Sequence, residues 1–277
     1  MHQAKQAGRN TFRFFSPDLQ EAVSARASLE EDLRQAVRDS SFTLHYQPQV
    51  ERGRMTGVEA LVRWEHPLLG LQFPEKFIAL AEQTRLILPL GDWVLRSACA
   101  QLAAWSSRHP NSRLSVAVNV SALQLSQENF VESVLDAVQA TGANPRYLKL
   151  ELTESVLAGN VEDAIAKMKA LRDHGVTFSI DDFGTGYSSL AYLRQLPIGQ
   201  LKIDHSFVKD ILTDPGSAAI AQTIISLSRA LDVPVIAEGV ETEEQRGMLA
   251  GLGCYAYQGY LFGRPVPPEE IDKRLAQ

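Results

Sequence analysis

The chain has 277 residues, 45% hydrophobic and 22% charged, with 18 Gly and 13 Pro spread along it, which excludes a disordered or fibrous polymer and leaves a soluble globular enzyme or binding domain. A formal charge of −6 argues against non-specific adhesion to DNA or to an anionic membrane, since both need a basic surface. The sequence holds no apolar run of about 18 residues and no basic segment leading into an apolar one, so the expectation is a cytoplasmic segment without membrane contact of its own, any anchor belonging to a longer parent protein.

Residues 1–20 are basic and end in Phe14-Phe15 and a Ser16-Pro17 break, and they read as an appendage to a domain over residues 21–277. A helical pattern starts near Glu21, and Leu29, Leu33 and Val37 make Ser28–Asp39 amphipathic. Eight strand candidates follow: Phe42–Val50, Thr56–Trp64, Leu114–Ser121, Leu148–Thr153, Thr177–Asp182, Gln200–Asp204, Val233–Gly239 and Tyr255–Phe262. Helical stretches are expected between most of them, over Pro74–Ser107, Ser126–Thr141, Val161–His174, Ser217–Leu231 and Glu243–Ala250. This alternation predicts an α/β fold closed into a TIM-like (β/α)8 barrel. Glu51–Met55 is too short for a crossover helix, so the first two strands are expected to pair antiparallel, giving one reversed strand near the N-terminus.

Side chains two apart on a strand share a face. Asn119, Glu151, Asp181 and Lys202 all lie opposite the large apolar set of their strands, hence inside the barrel and near its C-terminal rim. Glu59 and Glu238 bring carboxylates from two more strands. Several ionised carboxylates cannot share a dry cavity, whereas divalent cations would neutralise them, and oxygen-only donors suit Mg²⁺ or Mn²⁺. The adjacent Asp181 and Asp182 could hold two ions, the arrangement that supports an in-line phosphoryl displacement, with Lys202 orienting a water or offsetting charge. Phe183–Ser189, with two glycines, reads as a loop that closes over a ligand. Asp204 and Glu241 are read as structural, as are Cys99, Cys254 and the six histidines, none in metal-ligand spacing.

The segments Tyr46-Gln47-Pro48, Glu59-Ala60-Leu61-Val62-Arg63-Trp64, Asn119-Val120-Ser121, Glu151-Leu152-Thr153-Glu154, Asp181-Asp182-Phe183-Gly184-Thr185-Gly186, Leu201-Lys202-Ile203-Asp204, Ala237-Glu238-Gly239-Val240-Glu241 and Gln258-Gly259-Tyr260 resemble, in order, those of EAL-domain cyclic di-GMP phosphodiesterases. The resemblance implies a hydrolase that cuts cyclic di-GMP to linear pGpG with a water activated between two Mg²⁺ or Mn²⁺ ions. It implies that Glu59, Asn119, Glu151 and Asp181 bind one cation, Asp181 with Asp182 the other, and that Lys202 and Glu238 handle the water. Gln47, Arg63 and Gln258 would contact guanine or phosphate, and Glu154 would brace the loop after Asp182, which in the family also contributes to a homodimer. Met1–Asn10 resembles the last helix of a GGDEF diguanylate cyclase domain, implying upstream GGDEF and sensor domains in a parent chain, with no cyclase motif retained here. A catalytically silent cyclic di-GMP receptor or dimerisation module is the alternative from a different class.

Overall fold

The computed structural model describes residues 17–154, 160–185 and 190–276. Met1–Asn10, with its resemblance to a cyclase helix, and the end of the expected loop at 186–189 lie outside the described residues. Helix α1 (Pro17–Asp39) is followed by β1 (Phe42–Glu51), β2 (Arg54–His66), a short β3 (Gly70–Gln72) and a 3-10 turn at Pro74–Lys76. Next come α2 (Ile78–Thr84), α3 (Ile87–Arg108), β4 (Ser115–Val120), α4 (Ala122–Leu125), α5 (Phe130–Thr141), β5 (Leu148–Thr153), α6 (Val161–Asp173) and β6 (Thr177–Phe183). The chain ends with α7 (Leu190–Leu193), β7 (Gln200–Ile203), α8 (His205–Lys209), α9 (Pro215–Leu231), β8 (Val235–Ala237), α10 (Glu243–Leu252), β9 (Ala256–Gln258) and α11 (Pro268–Leu275).

The strands run in the order β1-β9-β8-β7-β6-β5-β4-β2, and pairing of β1 with β2 closes them into an eight-stranded barrel, with β3 added at the end of β2. As expected, β1 is the reversed strand, antiparallel to both β2 and β9, while the other neighbours around the barrel pair parallel. The hairpin turns through Arg52 (φ 49°) and Gly53 (φ 79°), two left-handed residues whose twist matches that of the flanking strands.

The expected faces are observed. Val116, Val118, Val120, Leu148, Leu150, Leu152, Phe178, Ile180, Leu201 and Ile203 are all buried and join a core that includes Ala98, Leu102, Val134, Met168, Leu171 and Ile224 of the helices. Each such side chain contributes about 1.5–3 kcal/mol by leaving water, which fixes which face of every strand turns inward.

Short elements such as β3, α4, α8 and α11 were not expected, the expected helix Ser126–Thr141 starts only at Phe130, and two further differences have a clear local cause. Helix α1 begins at Pro17, so the division placed at residue 20 falls within its first turn. A proline at the first helical position needs no N–H partner and starts a helix instead of breaking one. The expected helix Pro74–Ser107 is in fact three elements, because Arg85 adopts a left-handed conformation (φ 63°) that ends α2 before α3 begins.

Candidate functional site

The rim of the barrel gathers a carboxylate ring around one ammonium group. Lys202, from the middle of β7, is fully buried, and its Nζ lies 2.5 Å from Glu238 Oε1, 2.6 Å from Glu151 Oε2, 3.0 Å from Asp181 Oδ2 and 3.9 Å from Glu59 Oε2. Burial by itself would drive this amine toward neutrality, but Glu151, Glu238, Glu59 and Asp181 together hold its pKa well above the usual lysine value. It therefore stays an ammonium and acts as a donor.

One ammonium does not neutralise five carboxylates. Burial, opposed by Lys202 and reinforced by Glu59 and Asp181, pushes Glu151 up to about 7. Glu238 is raised well above its usual value, again by burial first. Asp182 is raised to about 6 by burial and by the neighbouring Asp181 and Asp204. The ring thus draws positive charge, as protons or as cations.

Strand parity places Glu59, Glu151 and Asp181 inside, but by parity Asp182 should point outward. It does not, because Asp182 has a φ of 52°, in the left-handed region, and the pairing of β6 with β7 slips between Ile180 and Phe183. The irregularity turns two consecutive carboxylates to one side. One oxygen each from Asp181, Asp182 and Glu238 lies within 4.8 Å of the others. These residues are partly open to the mouth, whereas Glu151 and Lys202 form the closed floor.

The remaining expected residues surround this group. Asn119, exposed at the end of β4, donates from Nδ2 to Glu59 Oε1 at 2.6 Å. Gln258 donates from Nε2 to Glu59 Oε2 and, at 3.0 Å, to Gln47 Oε1, while Gln47 donates to the carbonyl of Gly263 at 3.2 Å. Gln47 sits directly across from Glu59 in the β1–β2 register. Glu154 Oε2 accepts from the Gly184 amide at 3.2 Å, which ties the end of β5 to the loop after β6. Arg63 lies on the same face of β2 as Glu59, 4% exposed, with Nη1 donating to the Val62 carbonyl at 2.9 Å. A cavity of about 470 Å³ opens beside Asn119, bordered by Leu61, Ile78, Ser121, Gln124 and Thr153.

Sequence reasoning missed three members. Gln49, 3% exposed, donates to Gln258 Oε1 at 2.9 Å and so orients the amide that holds Glu59. It shares the parity of Gln47 on β1, and that signal was available. Ser179 Oγ donates to Glu151 Oε1 at 3.3 Å and has the parity of Asp181. Asp204, read as structural, does cap α8 by accepting from the Ser206 amide at 3.0 Å, yet its charge also helps to raise the Asp182 carboxyl. The cysteines are ordinary buried thiols, both pushed up to about 12 by burial.

All the donors of the ring are oxygens, apart from the amine that braces it, and none is a thiol or imidazole. That set fits a hard divalent cation.

The family model for the EAL domain matches residues 30–265. The chain is 44% identical over 273 residues to the bifunctional diguanylate cyclase/cyclic di-GMP phosphodiesterase MucR of Pseudomonas aeruginosa, a match covering 98% of this chain and 40% of that protein. It is 45% identical over 277 residues to the cyclic di-GMP phosphodiesterase NbdA of the same organism, covering 99% of this chain and 35% of the relative. The chain therefore spans less than half the length of these relatives. Among solved structures, the PaMucR phosphodiesterase in complex with c-di-GMP superposes with a TM-score of 0.85 at 46% identity, over 88% of this chain and 99% of that one.

Proposed function

From the premise that this chain belongs to the EAL domain family, we propose that it is a phosphodiesterase that hydrolyses cyclic di-GMP to linear pGpG. The observation that carries the reading is the convergence of Asp181, Asp182 and Glu238 at the open side of a ring whose closed side is held by Lys202. Two relatives bear the name of this activity, and a similar structure holds the nucleotide.

In this reading Glu59, Asn119, Glu151 and Asp181 would hold one Mg²⁺ or Mn²⁺ ion, and Asp181 with Asp182 would hold a second. When bound, the two cations lower the pKa of water and offset the phosphate charge as it builds. The chain's own residues do the rest. Lys202, kept protonated, fixes the carboxylates and presents positive charge to the reacting centre. Glu238, whose pKa is raised by burial so that its ionised carboxylate is the stronger base, would take up the proton of the attacking water. Arg63 faces the anionic substrate with donors to spare. Gln258 orients Glu59 through its amide, Gln47 accepts from that same amide, and both line the wall against which a guanine or phosphate would rest. Glu154 holds the loop at Gly184.

The same membership supports a homodimer built partly on the loop after Asp182. It also supports reading residues 1–20 as the tail of an upstream GGDEF domain joined to a domain over 21–277, since the matched relative MucR carries both activities in its name and aligns over 98% of this chain.

Incubation with cyclic di-GMP and Mg²⁺ or Mn²⁺ is expected to yield pGpG. Tight binding with the nucleotide intact under both ions would overturn catalysis in favour of a silent receptor.

A further inference from the structure

Arg63 poses a problem that the ring does not solve. The guanidinium is buried, forms no ion pair among the described residues, has one hydrogen bond to the carbonyl of its own neighbour, and leaves Nε without a partner. A buried charge so poorly satisfied should swing away toward water unless something holds it. The group over it is Phe73, whose ring centroid lies 5.0 Å from the guanidinium carbon. Phe73 is itself 51% exposed, so it covers Arg63 with one face and leaves the other to solvent.

The placement is built by backbone. Strand β3 adds to β2 outside the barrel with Trp64 opposite Gln72, Glu65 opposite Leu71 and His66 opposite Gly70. Continuing that register by one residue puts Phe73 across from Arg63, and directly opposed side chains on an antiparallel pair share a face. Pro74 then confines Phe73 to extended backbone, observed at φ −95° and ψ 156°. The turn is locked by the Lys76 amide donating to the Phe73 carbonyl at 3.0 Å, and by Phe77, fully buried with its ring 5.7 Å from that of Trp64. The ring is therefore anchored on both sides in sequence.

We propose that Phe73 is a positioning residue for Arg63. Its ring caps the guanidinium, keeps water from one face and aims the unspent donors at the substrate's phosphate or base. The proposal rests on the reading of Arg63 as a substrate contact given above. It makes β3 the device that fixes the arginine, so a three-residue strand outside the barrel affects affinity inside it.

The test compares Phe73→Ala, Phe73→Leu and Phe73→Tyr in steady-state hydrolysis of cyclic di-GMP, with each variant's fold checked by its thermal transition. Loss of an aromatic cap of this sort is expected to raise KM about 3- to 30-fold with kcat changed less than about twofold. Phe73→Leu should behave as Phe73→Ala, because it keeps the apolar bulk but not the ring, and Phe73→Tyr should restore most of the affinity. In an Arg63→Ala background Phe73→Ala should add nothing. Equal KM for all three variants, full rescue by leucine, or additive losses with Arg63→Ala would overturn the proposal. A second readout does not depend on turnover: the arginine Nε–H signal of Arg63 in a nitrogen-15 spectrum should lose its ring-current shift and exchange faster with water in Phe73→Ala. If the wild-type chain cuts no nucleotide, the phosphodiesterase reading fails, and this signal alone decides the positioning, an unchanged shift and exchange rate rejecting it.

Discussion

Lys202→Met keeps the side chain's length and removes its charge, so it isolates what the ammonium does for the ring. The native contacts at 2.5, 2.6 and 3.0 Å to Glu238, Glu151 and Asp181 are buried on both sides. At an effective dielectric constant of about 20 each is worth roughly 6 kcal/mol in gross attraction. Most of that offsets the desolvation of the charges, and breaking such a buried pair costs about 3–5 kcal/mol net. The loss should depend on pH in a definite direction. Glu151 is raised from its ordinary value to about 7, so the native metal-free protein binds a proton that the unfolded chain releases, and this contribution to stability falls as pH rises from about 4.5 to 7 and then levels off. Without Lys202 the carboxyl goes higher still, and the fall continues above pH 7 at about 1.4 kcal/mol per pH unit. Urea unfolding in chelator at pH 6 and pH 8 measures both curves. The variant should be about 3–5 kcal/mol less stable at pH 8 and closer to wild type at pH 6, with turnover abolished. Parallel pH curves, or a loss below about 1 kcal/mol at pH 8, would refute the role assigned to the ammonium.

Excess Mg²⁺ should raise the melting temperature of the wild-type chain more at pH 8 than at pH 6, since at the lower pH protons on Glu151 and Asp182 compete with the cation; scanning calorimetry at the two pH values checks it, and an equal shift counts against the ring as the cation site. Asp182→Asn retains a side chain that tolerates a φ of 52° and relieves the crowding with Asp181, so it should leave the metal-free fold at least as stable while removing turnover, as read by denaturation and by release of pGpG. Arg85→Gly, at the left-handed residue that ends α2, should stabilise the protein by about 1 kcal/mol without touching activity, and a lowered midpoint in urea would show that the arginine side chain compensates its backbone.

Much of the barrel was legible because strand and helix periods are local properties. Val116, Val118 and Val120 alternate with Ala117 and Asn119 whatever the rest of the chain does, and that alternation alone sorted Glu151, Asp181 and Lys202 to the interior. The reversed β1 followed from the length of one connection. Chain punctuation is less decisive, since Pro17, which reads as a break, opens a helix, and Arg85 ends one without the glycine that would announce it.

Determined by sequence alone, then, were the architecture, the inward set of polar residues and their match to a family of phosphodiesterases. The tertiary structure decided which of those residues meet. Lys202 touches Glu151, Asp181 and Glu238 only because β5, β6, β7 and β8 lie side by side in the closed barrel. Asp182 joins them only because its backbone leaves the strand conformation, Gln49 supports Glu59 only through Gln258, and Phe73 covers Arg63 only through the register of β3. Periodicity assigns a residue to a face, but contact between side chains remote in sequence depends on closure, register and local backbone angles, which no short stretch of chain encodes.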